Sequence, residues 1–363
     1  MGLRILYGVQ GTGNGHLSRS REIVRCLKSR GHDVRVIVSG RPAERLWDME
    51  DFEPYRVLPG LTFATRRGRL EPLRTLAGLK LLRFYADIRG EDVRGIDLVI
   101  TDFEPITARI ARRHRLPAIG IGHQYAFRHR IPVAGFDPAA WFILRCFAPA
   151  RFTLGLHWHP FGQPLLPPVL PRLPAGDPPF TADRLLVYLP FEEEEDIRRL
   201  LHPFTDRRFV IYHPLDRAHD EGHLRWRLPS RSGFLRALAE SAGVITNAGF
   251  ELASEALQLG KKILVKPLRG QMEQLSNARA LSLLGLGSVM KRLDRHAVEE
   301  FLARPAGVRV RYPDMAGRIA QWISACRWEE TAGLVRGAWG DTVFPAGTAA
   351  GAAARPPSPL IPA

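Results

Sequence analysis

Residues 246–278, TNAGFELASEALQLGKKILVKPLRGQMEQLSNA, decide how this chain is read. The apolar run 242–246 is a short buried strand that ends in the small turn Asn247-Ala248-Gly249. A helix over 250–258 then points its first backbone N–H groups back at that turn, where unpaired donors and partial positive charge suit a phosphate. Residues 262–266 form the next strand, and Pro267-Leu268-Arg269-Gly270 is the loop leaving it. Gln271, Glu273, Gln274 and Asn277 open a second helix. Two adjacent strand ends therefore present a phosphate cradle, with Phe250 at its helix start, beside side chains able to bind hydroxyls. A nucleotide-sugar needs both.

The same alternation runs outward in both directions. Residues 4–10 are a compact apolar strand, Gly11-Thr12-Gly13-Asn14-Gly15 a turn, and 16–30 a helix stopped by Gly31. Strand 33–38 completes a βαβ unit, which calls for a parallel sheet. Strands 96–101 and 118–121 follow, with a helix over 106–115 between them. The Arg-rich segment 66–94 has helical apolar spacing and reads as a basic amphipathic helix. Proline and glycine crowd together over 160–179, a run that sustains neither helix nor central strand. A second series follows: strand 185–189, a helix over 192–201 with an acidic first turn, and strands 208–212, 243–246 and 263–266. Those acids match the helix dipole better than a metal site.

The expected fold class is α/β, with two doubly wound halves. The divisions are 1–160, a Pro-rich linker 161–182, 183–310, helices over 311–342, and an Ala/Gly/Pro/Ser-rich tail 343–363 that reads as disordered. The chain, 363 residues with 45% hydrophobic content, is long enough for two cores. Its net charge of +15 favours anionic substrates or an anionic membrane surface. No nucleic-acid motif or aromatic interleaving accompanies that charge. The three cysteines, Cys26, Cys146 and Cys326, are far apart and fit neither a zinc site nor a disulfide framework. His157 and His159 lack a third ligand. No signal peptide and no window of the ~18 apolar residues a membrane span requires is visible. A cytoplasmic protein, able to dock on the inner face of a membrane, is expected.

The Gly-rich first loop ending in a histidine, together with NAGF, SEAL and GQMEQ…NA, resembles the GT-B glycosyltransferases. The resemblance covers about residues 1–328. It is nearest to the bacterial and archaeal group resembling the lipid-linked N-acetylglucosaminyltransferase of peptidoglycan synthesis, and extends to UDP-glycosyltransferases. It implies two Rossmann-like domains facing across a cleft, with the nucleotide-sugar, most often a UDP-sugar, bound by the C-terminal one. It also implies inverting transfer to an acceptor hydroxyl, such as that of a lipid or cell-envelope glycan, without metal or cofactor. No Asp-x-Asp motif closes any strand, in keeping with this.

Carried over residue by residue, the likeness makes Glu255 the ribose ligand and Asn247, Ala248 and Gly249 the diphosphate turn. Relatives often have two adjacent glycines where this chain has Gly249-Phe250. Gln274 and Glu273 fall where sugar hydroxyls are bound, with Arg269, Gln271 and Asn277 as neighbours. His16 falls where plant enzymes have a general base, at the end of the loop whose Gly13, Asn14 and Gly15 line the acceptor side. Asp102 in Thr101-Asp102-Phe103-Glu104-Pro105 would orient His16, while Glu104 competes for that role or is itself the base. His123 and Gln124 follow a strand and face the same cleft edge.

Three other readings compete. A nicotinamide dehydrogenase needs GxGxxG and an acid after the second strand, where Ser39-Gly40-Arg41 stands instead. A UDP-sugar 2-epimerase shares the two-domain architecture and is separated by incubating donor alone. A non-catalytic basic protein would use the Arg-rich helix on membranes.

Overall fold

The computed structural model describes residues 2–61, 65–66, 69–70, 81–172, 181–346 and 348. The first half runs β1 (Arg4–Gln10), α1 (Asn14–Ser29), β2 (Asp33–Ser39) and β3 (Tyr55–Leu58), then the two-residue strands β4 (Thr65–Arg66) and β5 (Arg69–Leu70). It continues through α2 (Leu81–Gly90), β6 (Leu98–Asp102), α3 (Pro105–His114), β7 (Ala118–Gly122), α4 (Pro138–Cys146) and β8 (Phe152–Gly155). The second half opens with β9 (Thr181–Tyr188), α5 (Glu194–Leu201), β10 (Arg208–Tyr212), β11 (His219–Glu221), β12 (Leu224–Arg227) and α6 (Arg231–Glu240). It then has β13 (Ser241–Asn247), α7 (Phe250–Gln258), β14 (Lys262–Lys266), α8 (Met272–Leu283), β15 (Ser288–Val289), α9 (Arg295–Ala303), α10 (Met315–Ser324) and α11 (Ala332–Gly340).

One six-stranded sheet has the order β3-β2-β1-β6-β7-β8, with every neighbouring pair parallel. The second sheet has the order β11-β12-β10-β9-β13-β14-β15, and only the β11–β12 pair at its edge is antiparallel. Strands covered on both faces carry continuous apolar runs. Ile5, Tyr7 and Val9 in β1, and Leu98, Val99 and Ile100 in β6, are fully buried. One apolar cluster passes from beneath the first sheet through Trp158 and Phe250 to Leu186 and Val244 of the second. Each sheet with its helices is a Rossmann-like unit, so the expected α/β architecture stands.

Helix α1 begins two residues earlier than the sequence suggests. Gly13, in extended conformation, is its N-cap, so Asn14 and Gly15 belong to the first turn rather than to the loop. The expected long basic helix is also different. Residues 65–66 pair with 69–70 as antiparallel strands, α2 spans only Leu81–Gly90, and 71–80 lie outside the described residues. The acidic helix starts at Glu194, with Glu193 as its N-cap. Of the Pro-rich stretch, 160–172 is described, and Leu166 forms a parallel bridge with Leu156. Residues 173–180 and 349–363, which take in the rest of that stretch and most of the expected disordered tail, lie outside the description.

Helix α10 packs against α1. There Ser324 Oγ meets His32 Nε2 at 2.7 Å, and Trp339 Nε1 donates to the Leu165 carbonyl at 2.7 Å. Trp322 lies in α10 and Trp339 in α11, while Trp328 sits in the turn between them, its ring against Phe152.

Gly8 shows how tightly helix and sheet meet. A methyl group there would collide with the Thr107 side chain of α3. Gly8→Ala is expected to lower stability by about 1–3 kcal/mol through overpacking. Urea denaturation reads the loss, and an unchanged midpoint would refute this account of the packing.

Candidate functional site

In each sheet the strand order reverses direction between two neighbours, β1/β6 in the first and β9/β13 in the second. Open α/β sheets bind ligands beyond the carboxyl ends of strands at such points. The residues singled out from sequence cluster there. His16 follows β1, Asp102 ends β6, and Asn247 ends β13 before the turn to Gly249.

His16 sits in the first turn of α1, and its side chain is 13% exposed. Its Nδ1 lies 2.7 Å from Asp102 Oδ1. Asp102 itself has no solvent exposure. Such a carboxylate is tolerable only when its oxygens are satisfied. Arg19, one turn along α1 from His16, donates through Nε to Asp102 Oδ2 at 2.7 Å and through NH2 to Oδ1. Ser20 Oγ donates to Oδ2 at 2.7 Å. Burial pushes the Asp102 pKa up, but the charges of Arg19 and His16 more than offset it and hold the group below the usual carboxylate value.

The facing element is the start of α7. Gly249 is its N-cap with φ −72° and offers no side-chain cap to the first N–H groups. A Cβ added at Gly249 would touch nothing within 4 Å, so the space in front of those donors is open. Asn247 Nδ2 donates to the Lys266 carbonyl at 3.0 Å, while its Oδ1 is buried without a hydrogen-bond partner among the described residues. Gln271 Oε1 at the start of α8 is in the same state. Both amide oxygens are acceptors waiting for an O–H or N–H donor.

The two switch points touch through a polar seam. Asn14 Nδ2 donates to Tyr188 OH at 3.3 Å, and Gln124 Nε2 to Glu273 Oε1 at 3.1 Å. Arg19 NH1 donates to Glu251 in the first turn of α7. A Cβ on Gly15 would run into the Glu251 side chain, so glycine is what lets the two helix starts approach. Beneath this lies an aromatic stack: the His123 ring is 4.1 Å from that of Phe250, which is 5.0 Å from Trp158.

Four residues expected at the cleft are placed elsewhere. Glu104 is fully buried as the N-cap of α3, accepting from Ile106 N at 2.9 Å, Thr107 N and Oγ1 at 2.6 and 2.7 Å, and Ser39 Oγ at 2.6 Å. Both its oxygens are committed, which removes it from the competition with Asp102. His123 is fully buried, bonded through Nδ1 to the Leu156 carbonyl at 2.9 Å and through Nε2 to Asn277 Oδ1 at 2.7 Å. Asn277 spends its other end on the Ala248 carbonyl at 3.0 Å, so these two residues brace the Asn247–Gly249 turn from behind. Gln274 accepts from Leu268 N at 3.0 Å and shapes the loop at Arg269, which is exposed. His157 is buried, and its Nδ1 accepts from Trp158 N at 2.8 Å. Among the described residues no group of three or more His, Cys, Asp or Glu side chains is placed to hold a metal ion.

Sequence reading missed Arg19, Ser20 and Glu251. A signal existed for two of them: Arg19 is three residues from His16, and Glu251 four from Glu255, so each pair shares a helix face. Glu255 is buried against α1, with Ser18 Oγ 3.5 Å away. Burial, then the neighbouring Glu251, raise its pKa to about 8. Burial also raises Glu251 to about 7, with Arg19 opposing.

A family model described as glycosyl transferase family 1 matches residues 3–138 and 160–305. No curated protein matches the chain. Among solved structures, the glycotransferase of kitacinnamycin is similar at 16% identity and TM-score 0.58, covering 93% of this chain and 97% of that one. LpCGTa in complex with UDP is similar at 18% identity and TM-score 0.58, covering 89% and 94%. MurG from Acinetobacter baumannii is similar at 14% identity and TM-score 0.51, covering 90% and 100%. At these identities the likeness is one of fold.

The raised Glu255 pKa has a sign. The folded state holds this proton more tightly than the unfolded chain. The stability it brings is therefore full below about pH 4.5 and is lost as pH rises through about 8. Glu255→Gln should therefore gain melting temperature relative to wild type between about pH 5 and about pH 8. A difference that stays constant across that range would contradict the buried placement.

Proposed function

The chain belongs to glycosyl transferase family 1 and has the GT-B fold, and from that premise we propose that it transfers a sugar from a nucleotide-sugar, most simply a UDP-sugar, to an acceptor hydroxyl with inversion. The observation that carries this reading is the His16–Asp102 pair at one switch point set against the uncapped start of α7 at the other.

The chemistry follows from that placement. Asp102 accepts from His16 Nδ1–H, which leaves the Nε2 lone pair to take the acceptor's hydroxyl proton and stabilises the imidazolium that forms. The acceptor oxygen attacks the anomeric carbon as the bond to the diphosphate oxygen breaks on the opposite face, which inverts the centre. Negative charge develops on the departing diphosphate, and the free N–H groups of α7 at Gly249 receive it. Gln271, Glu273 and the unpaired Asn247 Oδ1 supply acceptors for hydroxyl or N–H groups of the donor. The carboxylate of Glu251 stands close to this anion, with Arg19 bonded to it. Glu255 meets a ribose in this reading only when α1 and α7 part, because its carboxylate is turned toward Ser18.

The acceptor in this reading is lipid-linked. No helix among the described residues is long and apolar enough to cross a membrane. Exposed apolar side chains do stand beside arginines on two helices: Leu82, 91% exposed, with Arg83 and Arg89 on α2, and Phe142, 66% exposed, with Arg145 on α4. Such pairings suit an anionic bilayer surface.

Two results are expected. In a UDP-release assay over a panel of UDP-sugars and hydroxyl acceptors, His16→Ala should lose about 10²–10⁴-fold in kcat while UDP still stabilises the protein. A variant that turns over at the wild-type rate would remove His16 as the base. In sedimentation with vesicles containing anionic lipid, the protein should pellet at low salt and be released by about 0.5 M salt, where exposed charges are screened. Absence of salt-sensitive binding would refute the docking.

A further inference from the structure

Most cations near the carboxyl edges of the two sheets are already spent. Arg19 is bonded to Asp102 and Glu251. Lys266, at the end of β14, pairs with Glu192. Arg231, which opens α6, pairs with Glu22 of α1 at 3.2 Å. Arg41, two residues beyond β2, differs from these. Its NH1 donates to Asn14 Oδ1 at 2.7 Å and its NH2 to the Thr12 carbonyl at 3.2 Å. The guanidinium carbon lies 5.8 Å from the centre of the Trp47 ring. These contacts hold the fork in place, but none of them carries a negative charge. The Nε hydrogen, and one hydrogen on each NH group, have no acceptor among the described residues. The side chain is partly buried. Burial and the neighbouring Arg45 hold its pKa down, with Tyr188 opposing. A cation in that state is stabilised by an incoming anion.

The position of Arg41 says which anion. Asn14, which it grips, donates to Tyr188 OH at 3.3 Å. Tyr188 ends β9 and lies opposite Thr246 of β13, the residue before the Asn247–Gly249 turn. Gly15, next along from Asn14, abuts Glu251 in the first turn of α7. The starts of α1 and α7 thus meet, neither with a side-chain cap, and Arg41 stands on the α1 side of them. Backbone N–H groups offer only partial charges. Arg41 adds a full one.

We propose that Arg41 binds the diphosphate of the donor jointly with the start of α7. As the bond from the anomeric carbon to the diphosphate oxygen breaks, the electron pair stays on that oxygen. Arg41 then donates to the phosphate oxygens and stabilises their growing charge. Asn14 and Thr12 orient the fork before the donor arrives, so little reorganisation accompanies the reaction. The inference rests on the donor site at Gly249, and adds a residue of the first half to it.

Isothermal titration of the full-length protein with UDP, inorganic pyrophosphate and uridine tests it. Arg41→Gln should bind UDP and pyrophosphate about 10–100-fold more weakly than wild type, as expected for lost charge-assisted hydrogen bonds. Uridine, which carries no phosphate, should bind both proteins alike. If Arg41→Gln does not fold, Arg41→Lys decides the matter, because it keeps the charge without the fork. It should bind UDP more weakly than wild type and uridine equally, and an unchanged UDP affinity would overturn the inference. Equal UDP affinity in wild type and Arg41→Gln overturns it as well, and leaves the donor site at Gly249 standing. So does a loss confined to pyrophosphate, which would put Arg41 on a phosphate other than the donor's, and so does an equal loss for uridine, which would make its role one of shape alone. Wild type that binds neither UDP nor pyrophosphate would end the donor-site reading and the inference together.

Discussion

A carboxylate with no exposure to water governs this architecture. Asp102 ends a central strand of the first sheet, and nothing in its apolar surroundings offsets the cost of burying its charge except what the chain brings to it. Three consecutive turns of consequence follow from that demand. His16, Arg19 and Ser20 must all lie on the same side of α1, which fixes the rotation of that helix against the sheet. The glycines before His16 must let α1 start close to the strand end. Arg19, once buried, needs a second anion, and Glu251 on the opposite half provides it. The requirement that begins at one strand end therefore ends by pinning two Rossmann-like units together.

The fold was legible because buried parallel strands are continuous apolar runs with small residues at their ends. Arg4–Gln10, Arg208–Tyr212, Phe250–Gln258 and Lys262–Lys266 have the limits read from sequence. The edge hairpin β11–β12, the strand β3 and the helix α6 were not anticipated, since short or half-polar segments carry no clear period. The start of α1 was placed late because Asn14-Gly15 looks like a turn. An extended Gly13 lets both residues enter the helix.

The site was legible in part, for reasons that differ by residue. His16 and Asp102 come together as the strand–loop pattern required. Glu104 was misread although its signal was present: an acid followed by proline at the first helical position is a cap signature. His123 follows a strand end and Asn277 stands near the start of α8, as ligand residues do, yet they meet each other behind the turn at 2.7 Å. Only the approach of the two halves, which no local pattern encodes, turns them inward. Arg19 and Glu251 share helix faces with His16 and Glu255, but the partners that give them a role lie more than eighty positions away.

In the proposed reaction the open start of α7 takes the diphosphate of the donor. Gly249→Asp tests it most directly, because φ is −72° and an added Cβ meets nothing, so the variant should fold as wild type does. Its carboxylate would cap the same N–H groups and repel an incoming phosphate. The measurement is the rise in melting temperature produced by UDP. At about 100 times its Kd, UDP should stabilise wild type by about 2.7 kcal/mol. Gly249→Asp is expected to match or exceed the wild-type melting temperature without ligand and to lose the UDP response. A variant that UDP stabilises as strongly as wild type would contradict it.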